Sequence, residues 1–121
     1  MLANQVTTTS THPIVGALTL TKVKEQNNES TYFQRAVSGS DVYEFTITVN
    51  HTIPNRGSSG ESHLCKYVED KYTDGLLVSS YQHHYVSLTR TGIQPDTAAA
   101  SNALVADFFS QIESSWLNRE S

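Results

Sequence analysis

Apolar and polar residues alternate with a period of two through most of this chain, and the period changes once, near residue 96. In the run 41–52 (DVYEFTITVNHT), Tyr43, Phe45, Ile47 and Val49 share one side while Glu44, Thr46, Thr48 and Asn50 share the other. That is the pattern of a strand with one buried face. Residues 17–23 (ALTLTKV) alternate in the same way around Leu18 and Leu20, and 31–37, 61–72 and 76–90 read as further strands. Residues 2–12 are rich in threonine and nearly uncharged; they read as an edge strand or a loose arm, with His12 exposed. Turn residues punctuate these runs at Pro13 and Gly16, Asn27-Asn28, Ser38-Gly39-Ser40, the stretch 53–60 and Thr73-Asp74-Gly75.

From residue 96 to 117 the spacing becomes helical: Ala100, Leu104, Phe108, Ile112 and Trp116 recur every four residues, flanked by Val105 and Phe109. Asn102, Asp107, Gln111, Glu113 and Ser114 occupy the other side. Pro95 ends the preceding extended segment, and Asp96 or Thr97 is placed to cap the first free amides. At about 1.5 Å per residue such a helix is about 30 Å long, more than a small sheet needs for its own cover. Large apolar groups crowd its far end, so the pattern predicts a cover shared with a second copy of the chain. Strands followed by one helix make an α+β plan, here one domain over 1–121 with an arm and hairpin (1–24), a sheet (30–91) and a helix (96–117).

Turn positions suggest a register. A turn centred near residue 57 sets His51 opposite His63, and a tight turn at Asp74 is read as setting His84 opposite His63 as well. Phe45, Ile47, Val49, Cys65, Tyr67, Val86 and Leu88 then form the floor under the helix. The reverse face collects Thr46, Thr48, Asn50, Lys66, His83, Tyr85 and Ser87. A slip of one residue swaps the two sets within a strand, and 61–72 is the ambiguous member, because Leu64 and Val68 flank Lys66.

Composition narrows the chemistry. Apolar residues make up 37%, low for a self-sufficient core. No apolar run is long enough to span a membrane, and no leader pattern opens the chain. The single cysteine, Cys65, excludes an internal disulfide and reads as a structural thiol. Phosphate loops, paired CxxC, HExxH and GxSxG are missing, so no catalytic residue is assigned. His51, His63 and His84, side by side in this register, have the spacing of an open three-nitrogen zinc site, and that supports an alternative reading as a small dimeric metal-binding protein or enzyme. Three polar residues at a sheet margin are the plainer account. The reverse face combines hydroxyls, an amide, a lysine and aromatic rings, which suits unpaired RNA bases, although a solvated face has the same composition. A net charge of −4 weighs against a dedicated nucleic-acid binder.

Order and pattern together resemble the coat proteins of single-stranded RNA bacteriophages. An N-terminal hairpin precedes long meandering strands; YEFTITVNHT (43–52) is similar to that family's central strand and SHLCKYVE (62–69) to the strand before its last loop. VSLTR (86–90) then leads through a proline-containing loop into one closing helix. The resemblance implies an intertwined homodimer whose sheets join edge to edge, each helix crossing the partner through Leu104, Phe108, Phe109, Ile112 and Trp116. It further implies an icosahedral virion shell assembled in the cytoplasm of a bacterial host, with the sheet facing genomic RNA and in some relatives an operator hairpin. Thr46, Thr48, Asn50, Lys66, His83, Tyr85 and Ser87 would make the RNA contacts. Asn50 and Glu44 depart from the basic residues common there. The loops around 53–60 and 73–75 would meet neighbouring dimers. No cofactor, metal or membrane partner is implied.

Overall fold

A computed structural model describes residues 2–52, 61–89 and 95–118. Six strands follow one another as an antiparallel meander: β1 (Gln5–His12), β2 (Gly16–Gln26), β3 (Glu29–Ser38), β4 (Asp41–Thr52), β5 (Glu61–Thr73) and β6 (Leu76–Thr89). One helix, α1 (Pro95–Leu117), ends the described chain. The architecture is the α+β plan read from the pattern. Residues 2–12 contribute an edge strand rather than a loose arm. The stretch 53–60, expected to meet neighbouring dimers, lies outside the described residues.

Short turns set the hairpins. Asn28, Gly39, Asp74 and Gly75 take the left-handed backbone conformation, the last two side by side as a two-residue hairpin loop requires. The helix starts one residue before the predicted position, at Pro95, whose fixed φ and missing amide hydrogen suit a first helical position. No described helix is long and apolar enough to cross a membrane.

Alternation in β2, β3 and β4 directs Leu18, Leu20, Tyr32, Tyr43 and Phe45 to one side, where they form the buried core. Val15, Ala36, Ile47 and Tyr67 pack against them. Phe45 and Leu20 are fully enclosed, each worth about 1.5–3 kcal/mol in removal from water. The sheet curls around this core. His12, at the end of β1, meets the rings of Tyr43 and Phe45 on β4 at 5.3 Å each, so it is half-buried and not exposed as the sequence suggested. The Tyr32 hydroxyl donates to the Ala3 carbonyl at 2.6 Å and ties the N-terminal segment to the same layer.

The β4–β5 register agrees with the sequence reading: His51 faces His63, Val49 faces Cys65 and Thr48 faces Lys66. The β5–β6 register does not. Cys65 pairs with Tyr85, Lys66 with His84 and His63 with Ser87. The ladder shifts between Lys71–Ser79 and Tyr72–Leu77, leaving Val78 as an extra residue. A single added residue reverses which side every later side chain takes. His83, Tyr85 and Ser87 therefore belong to the core side, and Val86 and Leu88 to the reverse side.

Candidate nucleic-acid interface and subunit seam

On the face away from the helix, the pairings align four side chains in a row across β3–β6: Thr31, Thr48, Lys66 and His84. A second row beside it holds Phe33, Thr46, Val68 and Gln82, and a third holds Glu29, Asn50, Leu64 and Val86. Thr46, Thr48, Asn50 and Lys66 thus share one half-buried surface, as the sequence suggested. His84 lies in the open, its Nε2 3.1 Å from Gln82 Oε1. The Asn50 amide donates to Glu29 Oε2 at 2.9 Å, a bond that uses its nitrogen and not its carbonyl oxygen. Chemically these rows combine hydroxyls, amides, one imidazole and one phenyl ring with the aliphatic side chains of Leu64, Val68 and Val86. Its charges across β3–β6 are Arg35 and Lys66 against Glu29, Glu44 and Asp70. Thr31, Phe33 and Gln82 are not singled out by the sequence, which sets His84 beside His63 instead; only the cross-strand register brings these four to this face.

The other three residues assigned to RNA contact are a correction. His83 meets the Phe109 ring at 5.3 Å, and the Tyr85 hydroxyl donates to Asn102 Oδ1. Both contacts hold α1 over β6, so these side chains anchor the helix and do not belong to the reverse face. Ser87 follows them because of the same bulge.

The helix touches its own sheet narrowly. Phe109 and Ile112 are half-covered, and Phe109 also meets Trp116 edge to face at 5.4 Å. Leu104, Phe108 and Trp116 remain 72%, 63% and 51% exposed. Val105 and Leu117 are exposed as well, at 50% and 58%. Strand β6, which α1 overlies, has β5 on one side and, among the described residues, no strand on the other. A row of unpaired backbone groups beside exposed apolar side chains is the usual signature of an unfilled interface.

The histidines divide differently from the sequence expectation. His51 and His63 lie Nδ1 to Nδ1 at 2.8 Å. His84 points to the opposite face, opposite Lys66, so the three-nitrogen site is not assembled. Among the described residues, no three of His, Cys, Asp and Glu are grouped to hold a metal.

Two groups on the core side have shifted acidities. Cys65, between Val49 and Tyr85 in the ladder, reaches the surface with its sulfur still partly desolvated, which holds the thiol above its ordinary value. Burial also raises Tyr67 far above the usual phenol, helped by its 2.6 Å hydrogen bond to Glu69 Oε1 and by that carboxylate's charge. Comparison with known proteins adds no assignment: no family model matches the chain, and no curated protein matches it in sequence.

Proposed function

We propose that this chain is the coat-protein subunit of a single-stranded RNA bacteriophage, a structural protein that dimerises and then builds a closed virion shell around its genome. The observation that carries the reading is α1 itself: 23 residues long, anchored to β6 by few contacts, with Leu104, Phe108 and Trp116 facing out. A second subunit placed edge to edge along β6 would continue the sheet through main-chain hydrogen bonds. Each helix would then cross the junction and bury its apolar residues on the partner. Oligomers close most often through a two-fold axis, which presents one patch to itself.

In such a dimer the helices cover one side of the joined sheet and the rows around Thr48 and Lys66 line the other. The uncovered side is the RNA surface in this reading. Threonine hydroxyls and the Asn50 carbonyl read base edges, His84 and Phe33 offer rings for stacking, and Lys66 attracts phosphate. With more acids than bases on that surface, binding depends on base contacts and weakens only shallowly with salt. Genome capture then rests on many weak contacts around the shell.

Size-exclusion chromatography with light scattering, followed by negative-stain microscopy, tests the proposal. Purified protein should run as a dimer or larger and form hollow particles when RNA is added. A stable monomer over a range of salt and RNA concentrations would remove it.

A further inference from the structure

We propose that His51 and His63 form a two-nitrogen clamp for a late first-row divalent cation, nickel(II) or copper(II) in preference to zinc. The clamp is built by backbone geometry. His51 donates its amide hydrogen to the Asn28 carbonyl at 2.9 Å, on the β3 side of its strand. Its amide and carbonyl therefore point away from β5, and His51 and His63 face each other as a non-hydrogen-bonded pair. Such pairs bring side chains closest, with Cα atoms about 4.5 Å apart.

The rings present like atoms to each other, Nδ1 to Nδ1 at 2.8 Å, with ring planes 71° apart. Two nitrogens bound at about 2.05 Å to one ion and at right angles are about 2.9 Å apart, whereas a tetrahedral ion asks for about 3.4 Å. The observed spacing thus matches the nitrogen-to-nitrogen distance of right-angled ligand positions on square-planar or octahedral nickel and copper, so that chelation needs the rings to turn but not to separate. On its far side, His63 Nε2 lies 3.4 Å from Glu61 Oε2. A carboxylate behind the remote nitrogen holds that tautomer and leaves Nδ1 free to ligate. Without metal, the hydrogen between the rings then belongs to His51; ligation moves it to His51 Nε2, and both imidazoles stay neutral. The His63 and Glu61 side chains are 32% and 47% exposed, so an ion can enter, and His51 also lines an open cavity of about 370 Å³ with room for coordinated water. Since no third protein ligand joins them among the described residues, water completes the shell and affinity is modest.

Nickel(II) chloride alone is the probe, added to the full-length chain and followed by isothermal titration calorimetry and by histidine-ring NMR. One ion per chain should bind in the micromolar range, broadening the His51 and His63 ring signals before those of His83 and His84. His63→Gln should abolish binding, Glu61→Gln should weaken it about tenfold, and His84→Gln should leave it unchanged. Magnesium, which prefers oxygen ligands, should not compete. The ring-broadening order needs no variant, so a poorly folded substitution does not obscure the result. No saturable binding below millimolar nickel, or broadening that begins at His83 and His84, would overturn the assignment.

Discussion

His12 at the end of β1 and Glu69 on β5 lie 3.2 Å apart, Nε2 to Oε2, although three strands separate them in the sheet. This contact closes the curl. The imidazole caps Tyr43 and Phe45 from above, and Glu69 also accepts the Tyr67 hydroxyl through its other oxygen. His12→Ala removes the ring packing and one partner of a part-buried carboxylate. A loss of about 1–3 kcal/mol is expected from urea unfolding curves. A midpoint equal to the parent's would mean that the hairpin lies down without this contact.

Tyr67 ties the same carboxylate to alkaline behaviour. Its ordinary value is 10.0, and the fold raises it through burial first and Glu69 second. A group whose pKa is raised by folding in this way stabilises fully below its unfolded value, and that contribution is lost as pH rises above it. Stability should therefore fall from about pH 10 upward. In an ultraviolet phenolate titration Tyr67 should ionise last, and Tyr67→Phe should flatten the alkaline decline. Ionisation of all tyrosines together, well before unfolding, contradicts this.

The two strand registers show where pattern was sufficient and where it was not. In β4 one set of alternating residues is Tyr43, Phe45, Ile47 and Val49 and the other is polar, so only one face can be buried. In β6 both sets are mixed: Leu76, Val78, Val86 and Leu88 alternate with Leu77, Tyr81 and Tyr85. Alternation there gives no preference, and an extra residue at Val78 decides the matter from within an apolar triplet that tolerates it. This is why Thr46, Thr48, Asn50 and Lys66 were placed together correctly while His83, Tyr85 and Ser87 were not. His12 was misread for a related reason: a polar strand end shows no sign in sequence that the sheet will curl over it. The helix was legible throughout because a period of 3.6 over more than five turns has no competing explanation.

Phe108 and Phe109 are neighbours in sequence with opposite expected effects. Phe108 is 63% exposed in the single chain, so Phe108→Asp should leave the circular dichroism spectrum and monomer stability intact. In the proposed dimer the same carboxylate would be unpaired in an apolar seam, at a cost of several kcal/mol, and dimers should disappear in light scattering. Phe109 touches His83 on β6 of the same chain, so Phe109→Asp should also loosen the helix within one chain. If Phe108→Asp still dimerises at micromolar protein, α1 is not the seam.

Lys66 and Tyr85 discriminate between the two faces of the sheet. Lys66 is the one cation in the row Thr31, Thr48, Lys66 and His84, whereas Tyr85 is engaged with Asn102 beneath the helix. Binding of a fluorescent RNA hairpin, followed by anisotropy over a salt series, reads both. Lys66→Ala should weaken binding and lower the salt slope by about one unit, as expected for one lost phosphate contact. His84→Ala should cost about 1–3 kcal/mol if its ring carries a stacked base. Tyr85→Phe removes only the hydrogen bond to Asn102 and should leave RNA affinity unchanged. The reverse outcome, with Tyr85→Phe impaired and Lys66→Ala silent, would put the nucleic acid on the helix side and make the row around Lys66 an outer surface.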